Sequence, residues 1–148
     1  MNAIGIMNEA FKESGIAMPL KGGKTVTEEN RYLTGLDLQN PLYGNEIAER
    51  YVWLPDDFAK AVPAFLTELQ FGDFASRAGL DSKTRELLII SALAALGGSE
   101  MQVKAHFNGA LKAGNSKEEI VCVLVQAMPY MGIPRLFNAL NSIREYFN

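Results

Sequence analysis

The chain has 148 residues, of which 48% are hydrophobic and 21% are charged, and its formal net charge is −3. These values are typical of one globular domain with a substantial core. They exclude a basic surface for nucleic acid or an anionic membrane, and no apolar run reaches transmembrane length. The N-terminus lacks the charged start and unbroken apolar centre of a signal peptide, so we predict a cytoplasmic protein.

An N-terminal arm is predicted to precede the main domain. Residues 2–13 favour a short amphipathic helix that Gly15 ends, and residues 18–24 favour a connector rich in helix breakers. We assign residues 1–26 to this arm and its connector, and residues 27–148 to a helical domain. Because the arm is too short to fold alone, we expect it to dock on the body or on a neighbouring subunit.

The first part of the domain shows only short helical signals. A helix is predicted over about 27–36, with a turn at Asn40-Pro41. Another helix is predicted over about 55–69, and residues 71–79 are predicted to connect it to the rest.

Residues 79–114 predict an antiparallel helical hairpin, which we place at the centre of the domain. Asp81 or Ser82 supplies the N-cap of its first helix, and a glycine pair ends that helix. The apolar run over 87–96 leaves no polar face, so we expect this helix to be buried on all sides.

The second helix of the hairpin, about 99–113, is amphipathic and carries His106, the only histidine. Ser99, Gln102 and His106 form a polar line along one edge of its apolar stripe. At the margin of a core, a histidine suits general acid–base chemistry, and it equally suits an ordinary structural hydrogen bond. The residues by themselves leave both interpretations open.

Two further helices are predicted after the hairpin. Ser116 and Glu119 form a capping box that begins the first, which is expected over about 117–128. Pro129 is expected to interrupt it, and Pro134 fits the first turn of the last helix. One face of that last helix is predicted to be largely apolar, and it is marked by Ile133, Phe137, Leu140, Arg144 and Phe147. Since no strand pattern occurs, the predicted fold class is all-α, a single helical domain built on the central hairpin.

The lone cysteine, Cys122, excludes an intramolecular disulfide and a CxxC redox pair. Its apolar neighbours predict that it is a small buried hydrophobic residue. One histidine and one cysteine are too few soft ligands for a closed zinc site, so we predict no metal.

Three motifs follow one another over about residues 71–140. They are Gly79-Leu80-Asp81-x-x-Thr84-Arg85, then His106-x-x-x-Ala110-x-x-x-Gly114 with Glu118-Glu119-Ile120 after it, and Tyr130-x-Gly132-x-Pro134. Their order and spacing resemble the carboxymuconolactone decarboxylase family, which includes the alkylhydroperoxidase-D-like proteins. The resemblance implies an alkylhydroperoxidase-D-like helical fold and a homo-oligomeric ring, a trimer or a hexamer, with active sites near subunit contacts.

The peroxidase-like branch of that family carries a CxxC pair, with a histidine four residues after the second cysteine. In this chain the two cysteine positions fall on Ser99 and Gln102, so both sulfurs are missing. Thiol peroxidase chemistry needs a reactive thiolate, and Cys122 lies on another predicted helix. We therefore reject a disulfide-relay peroxidase. A glutamate of that branch corresponds to Glu86 if one residue is inserted at the glycine pair.

The decarboxylase branch resembles the chain better, over the segment FGDFASRAGLDSKTRELL. Its members remove carbon dioxide from an acidic lactone without a cofactor, which implies a small anionic substrate here. The resemblance implies that His106 is the acid–base group, that Arg85 holds a carboxylate, and that Glu86 or Gln102 orients His106 or the substrate. The other candidate substrate-binding residues are Ser99, Gln102 and Tyr130.

Two alternatives to a lyase remain open at this point. One is a non-catalytic relative that binds a small molecule or a protein, and the other is a redox protein that uses Cys122 between subunits. Structural roles are also open for the candidate residues. Arg85 suits a solvated or interface charge, Glu86 suits the positive N-terminus of a helix, and Tyr130 suits packing at a helix break.

Overall fold

The chain folds into helices in a computed structural model that describes residues 3–18 and 22–148. The described residues form eight α-helices and no strand, which confirms the all-α class. The helices are α1 Ala3–Glu13, α2 Arg31–Tyr43, α3 Glu46–Arg50, α4 Phe58–Phe65, α5 Ser82–Leu96, α6 Glu100–Lys112, α7 Lys117–Met131 and α8 Ile133–Ser142. A π-helical segment, Leu66–Ala75, continues α4, and a 3₁₀ turn, Arg144–Phe147, follows α8. A bilayer crossing would require a longer and more apolar helix than any in the described residues.

The predicted hairpin is formed by α5 and α6, and local residues fix both ends of α5. The Asp81 side chain accepts a hydrogen bond of 2.8 Å from the Thr84 backbone N–H at the start of α5. Gly97 ends that helix with a φ of 73°, a left-handed conformation that favours glycine. At the start of α7, Ser116 and Glu119 form the predicted capping box.

The main core lies between α5, α6, α7 and α8. Its buried members are Ile90, Ala94, Val103, Phe107, Ala110, Ile120, Leu124, Met131, Leu136, Ala139 and Ile143. Burial of this apolar surface is the main force that holds the hairpin against the two C-terminal helices.

The prediction that α5 is buried on all sides was wrong for the single chain. Ile90 and Ala94 are buried, whereas Leu88 is 53% and Leu96 is 71% exposed. The reason is geometric, because the other core helices cover one side of α5 and leave its opposite side open. In the single chain, α5 therefore has one apolar side that no other helix covers.

Two predictions about the first part of the domain were also wrong. The turn expected at Asn40-Pro41 lies within α2, and the connector expected over 71–79 begins inside the π-helical segment. Close packing between these two elements explains both differences, because it outweighs local propensity. A Cβ atom at Gly35 would collide with the Thr67 carbonyl, and one at Gly72 would collide with the Arg31 carbonyl.

The C-terminal helices differ from the prediction in their length and in the face that they bury. The proline at position 129 falls in the last turn of α7, so this helix continues to Met131. In α8 the buried face contains Leu136 and Ala139, while Ile133 and Phe137 of the predicted face are exposed. The two faces differ because contact with α5, α6 and α7 decides which residues of α8 are buried.

Cys122 was predicted to be buried, and it is exposed. Ile120 and Leu124 form the buried stripe of α7 at i and i+4. Cys122 lies two positions from each of them, about 200° around the helix, and so it faces outward.

The N-terminal arm forms the predicted helix, α1, which buries none of its residues in the body of the chain. The predicted connector over 18–24 lies partly outside the described residues. Docking of the arm on a neighbouring subunit stays a prediction.

Candidate active site

His106 and Glu86 meet across the central hairpin. The His106 Nδ1 atom lies 2.8 Å from Glu86 Oε2, and the pair joins α6 to α5. Glu86 is almost completely buried, with 3% of its surface exposed, whereas the His106 side chain is 20% exposed. The sequence left open whether these two residues meet, and the fold brings them together. The buried carboxylate faces inward, and the imidazole reaches toward solvent.

Tyr43 is a third member of this cluster, and no sequence motif indicated it. Its hydroxyl group donates a hydrogen bond of 2.9 Å to Glu86 Oε2 and lies 2.8 Å from His106 Nδ1. The phenol ring stands edge-on to the His106 ring at 5.6 Å and to the Phe71 ring at 5.9 Å. The C-terminal end of α2 thus delivers a polar group to the hairpin.

Gly109 makes room for this arrangement one helical turn after His106. A Cβ atom at position 109 would lie 2.8 Å from Tyr43 Cζ and 2.9 Å from Glu86 Oε2. Both separations are far below an ordinary van der Waals contact, so only glycine lets α6 pass this close to the cluster.

The hydrogen-bond network favours the tautomer of His106 that carries its proton on Nδ1. An ionised carboxylate can only accept hydrogen bonds, so Tyr43 O–H and His106 Nδ1–H both donate to Glu86. Burial, followed by the negative charge and the hydrogen bond of Glu86, raises the pKa of Tyr43, which keeps the phenol protonated as a donor. The neutral imidazole then has a free lone pair on Nε2, and no described residue hydrogen-bonds to that atom. This is the arrangement of a general base or, once protonated, of a general acid.

A cavity of about 330 Å³ opens beside His106. Apolar and polar side chains both line it, a combination that suits the binding of a small molecule with polar groups. The polar residues that line it are Tyr43, Glu46, Arg50, Tyr51, Gln70, Gln102 and His106. Its apolar walls are formed by Ile47, Leu66, Phe71, Ile89, Leu93 and Ala105. Three of its lining residues, Leu66, Gln70 and Phe71, belong to the π-helical segment, a type of helix that is frequent at functional sites.

A second, smaller space of about 30 Å³ adjoins the large cavity, and Gln70, Phe71, Ile89 and His106 line both. It is large enough for a water molecule, and Glu86 and His106 contribute to its wall. Arg85 lines this small space and not the large cavity. Its guanidinium donates hydrogen bonds to the Leu80 carbonyl at 3.0 Å and to the Arg77 carbonyl at 2.5 Å. Arg85 therefore ties the start of α5 to the preceding loop.

The remaining candidate residues fall into two groups. Gln102 lines the large cavity one turn before His106, as the polar line on α6 predicted. Ser99 belongs elsewhere, because its hydroxyl donates to the Leu93 carbonyl at 2.7 Å and it lines a different small pocket. Tyr130 is 88% exposed and lines no part of the cavity within the described chain. The structure thus brings Gln102 to His106 and leaves the other two apart from it.

Tyr43 and Arg50 are the residues of the site that sequence reasoning missed. Both lie outside the motifs: Tyr43 ends α2, which packs against α6 of the hairpin, and Arg50 ends α3, which packs against α4. The tyrosine follows Asn40-Pro41, which indicated a turn, so its helical position was not foreseen. A signal for Arg50 would have been a basic side chain at the end of a short helix beside aromatic residues, which is too common to be specific.

Comparison with known proteins identifies the family of the chain. The model of the carboxymuconolactone decarboxylase family matches residues 60–145. The chain is 28% identical over 122 residues to a 4-carboxymuconolactone decarboxylase of Acinetobacter baylyi, covering 82% of this chain and 90% of that protein. It is 39% identical over 87 residues to an uncharacterized 15.0 kDa protein in the nqo9-nqo10 intergenic region of Paracoccus denitrificans, covering 58% of this chain and 65% of that protein.

Proposed function

Since the chain belongs to the carboxymuconolactone decarboxylase family, we propose that it is a cofactor-free lyase or isomerase of a small acidic lactone or a related carbonyl compound. The similarity to the Acinetobacter baylyi 4-carboxymuconolactone decarboxylase supports decarboxylation as the reaction. The observation that carries the proposal is the Glu86–His106 pair, 2.8 Å apart, at the wall of a cavity of small-molecule size.

The chemistry can proceed with the chain's own side chains. When carbon dioxide leaves, its bonding electrons pass into the conjugated system of the lactone, which holds them as a dienolate. A group that delivers a proton to carbon completes the reaction, and His106 carries that proton on Nε2 in its charged form. Glu86 stabilises the imidazolium and keeps the other proton on Nδ1, and Tyr43 fixes the carboxylate that does so.

The proposal includes a homo-oligomer, a trimer or a hexamer. The open side of α5 supports it, because Leu88 and Leu96 are more than half exposed in the single chain. Apolar surface of this kind, continuous along a helix, is usually covered by another chain.

Turnover of 4-carboxymuconolactone by the purified protein is the direct test of the proposal. Carbon dioxide release and loss of lactone absorbance are measured for the wild-type chain, for His106→Ala and for Met101→Ala. Met101 lies on the same helix, is exposed and does not line the cavity, so it is the matched control. We expect His106→Ala to lose at least about 100-fold in kcat, and Met101→Ala to retain wild-type kcat.

Circular dichroism and sedimentation of the variants separate chemistry from folding. Unchanged helicity and assembly with lost turnover support His106 as the acid–base group. Retained turnover in His106→Ala would contradict the mechanism. Failure of the wild-type chain to turn over any of a panel of acidic lactones would instead indicate a relative that binds its ligand without chemistry.

A further inference from the structure

Arg50 places a positive charge at the wall of the cavity that His106 shares. It is the last residue of α3 and the only Lys or Arg of the described residues that lines this cavity. No described carboxylate forms a salt bridge with its guanidinium. Its backbone is held in place, because the Trp53 indole N–H donates a hydrogen bond of 3.0 Å to the Arg50 carbonyl.

We infer that Arg50 binds a carboxylate group of the substrate while His106 transfers the proton, an assignment that rests on the proposed function. The family resemblance gave the role of carboxylate binder to Arg85. That guanidinium already donates to the Leu80 and Arg77 carbonyls and lines only the water-sized space. Arg50 has its donors available, and a guanidinium matches the geometry of a carboxylate with two parallel hydrogen bonds.

The shape of the cavity defines the class of ligand. At about 330 Å³ it suits a small compound, and Leu66, Phe71 and Ile89 offer apolar surface for its carbon skeleton. Gln70 and Gln102 provide amide groups for the remaining oxygens. A compact carboxylate with a carbonyl or lactone oxygen fits this set, with its charged end at Arg50 and its reactive carbon near His106.

Glu46 carries the opposite charge to Arg50 at the wall of the same cavity. It lies one helical turn before Arg50 on the same helix, lines the same cavity and carries a negative charge that disfavours an anionic ligand. Removal of the Arg50 charge should therefore weaken carboxylate binding, and removal of the Glu46 charge should strengthen it.

The test uses adipate and its dimethyl ester, which share a carbon chain and differ in charge. Binding is followed by the NMR signals of the single histidine, so no turnover is needed. The variants are Arg50→Gln, Arg50→Lys and Glu46→Gln, and Arg144→Gln on the C-terminal turn is the matched control, since Arg144 does not line this cavity. We expect adipate to shift the His106 signals of the wild-type chain and the ester to shift them much less.

For adipate, Arg50→Gln should raise Kd about tenfold, and Arg50→Lys should raise it less because it keeps the charge. Glu46→Gln should lower Kd about twofold and Arg144→Gln should leave it unchanged. Binding of adipate that is insensitive to Arg50→Gln would overturn the assignment, and so would adipate that leaves the wild-type His106 signals unmoved. In either case the lactone assay would still test the lyase proposal independently. Binding that depends on the Arg50 charge, without any lactone turnover, would support Arg50 as the anion site and contradict the lyase proposal.

Discussion

The ring of Tyr43 occupies the space in which a side chain at Gly109 would begin. A Cβ atom at position 109 would lie only 2.8 Å from Tyr43 Cζ. The glycine on α6 and the tyrosine on α2 therefore fit together as a pair, and their fit holds the phenol against Glu86 and His106. This contact explains how a residue outside the hairpin becomes part of its polar cluster.

Gly109→Ala should disturb both the fold and the site. In most helix interiors this substitution stabilises a protein by roughly 0.5–1 kcal/mol, because glycine is the poorer helix former. Here the new methyl group must displace the phenol or the Glu86 carboxylate, so we expect the free energy of unfolding to fall by about 1–3 kcal/mol. Urea denaturation measures the stability, and lactone turnover measures the loss of kcat.

A double-mutant cycle identifies the cause of that effect. Tyr43→Phe removes the hydroxyl oxygen that lies closest to the new methyl group, so the double variant should lose less stability than the sum of the single variants. A coupling of about 1 kcal/mol would show that the two positions interact directly. A Gly109→Ala variant that is more stable than wild type would contradict the packing argument.

Tyr43 should also make the stability of the protein depend on pH in the alkaline range. Burial and the Glu86 charge raise its folded-state pKa above the ordinary value of 10.0. Above pH 10 the unfolded chain loses this proton while the folded chain retains it, so the stability contribution is complete below pH 10 and decreases as the pH rises. The slope from this one group approaches about 1.4 kcal/mol per pH unit.

The measurement for this prediction is urea unfolding of wild type and Tyr43→Phe between pH 8 and pH 11. Above pH 10 the free energy of unfolding should decrease more steeply with pH for wild type than for Tyr43→Phe, because the phenylalanine has no proton to lose. Tyr32, which is 41% exposed, supplies the control, since Tyr32→Phe should keep the wild-type slope. Equal slopes for all three proteins would mean that the Tyr43 proton does not contribute.

The sequence predicted the elements whose signals are local. The Asp81 cap of α5 and the Ser116–Glu119 capping box of α7 depend on residues three apart, and both are present. The predicted helix over 27–36 is shorter than α2, because Asn40-Pro41 is a strong turn signal in the sequence. In the structure α2 continues through these residues, since its packing against the π-helical segment outweighs that signal. The end of α2 is therefore set by long-range packing, which the local sequence does not encode.

The candidate site was predicted in part for the same reason. The positions of His106 and Gln102 follow from helical spacing on α6, and Glu86 came from the family resemblance. Tyr43 reaches His106 across 63 positions in the chain, which no periodicity can reveal. Arg50 likewise depends on where α3 packs, and Arg85 was assigned a ligand that its hydrogen bonds to backbone carbonyls do not favour.

Glu86→Gln should change the tautomer of His106 as well as its activity. The amide can donate to Nδ1, which favours a proton on Nε2 and removes the free lone pair from the cavity side. We expect kcat to fall by about 10–100-fold while the fold remains intact. Nitrogen-15 chemical shifts of the single histidine report which ring nitrogen is protonated.

Glu49→Gln on α3 is the control, because Glu49 is exposed and does not line the cavity. Wild-type shifts in Glu86→Gln would mean that the carboxylate does not select the tautomer.

Leu88→Asp should weaken the proposed assembly, since it places a charge on the open apolar side of α5. Leu88 is 53% exposed in the single chain, so the substitution leaves the monomer core intact. In an interface, however, the new carboxylate would be buried without a partner, at a cost of several kcal/mol for each subunit. Sedimentation velocity across a range of protein concentrations should show the variant dissociating where wild type remains assembled. Leu33→Asp, at a leucine that is 64% exposed on α2, controls for the added charge. Unchanged sedimentation of Leu88→Asp would place the subunit contact away from α5, and a monomeric wild-type chain would remove the oligomer from the proposal.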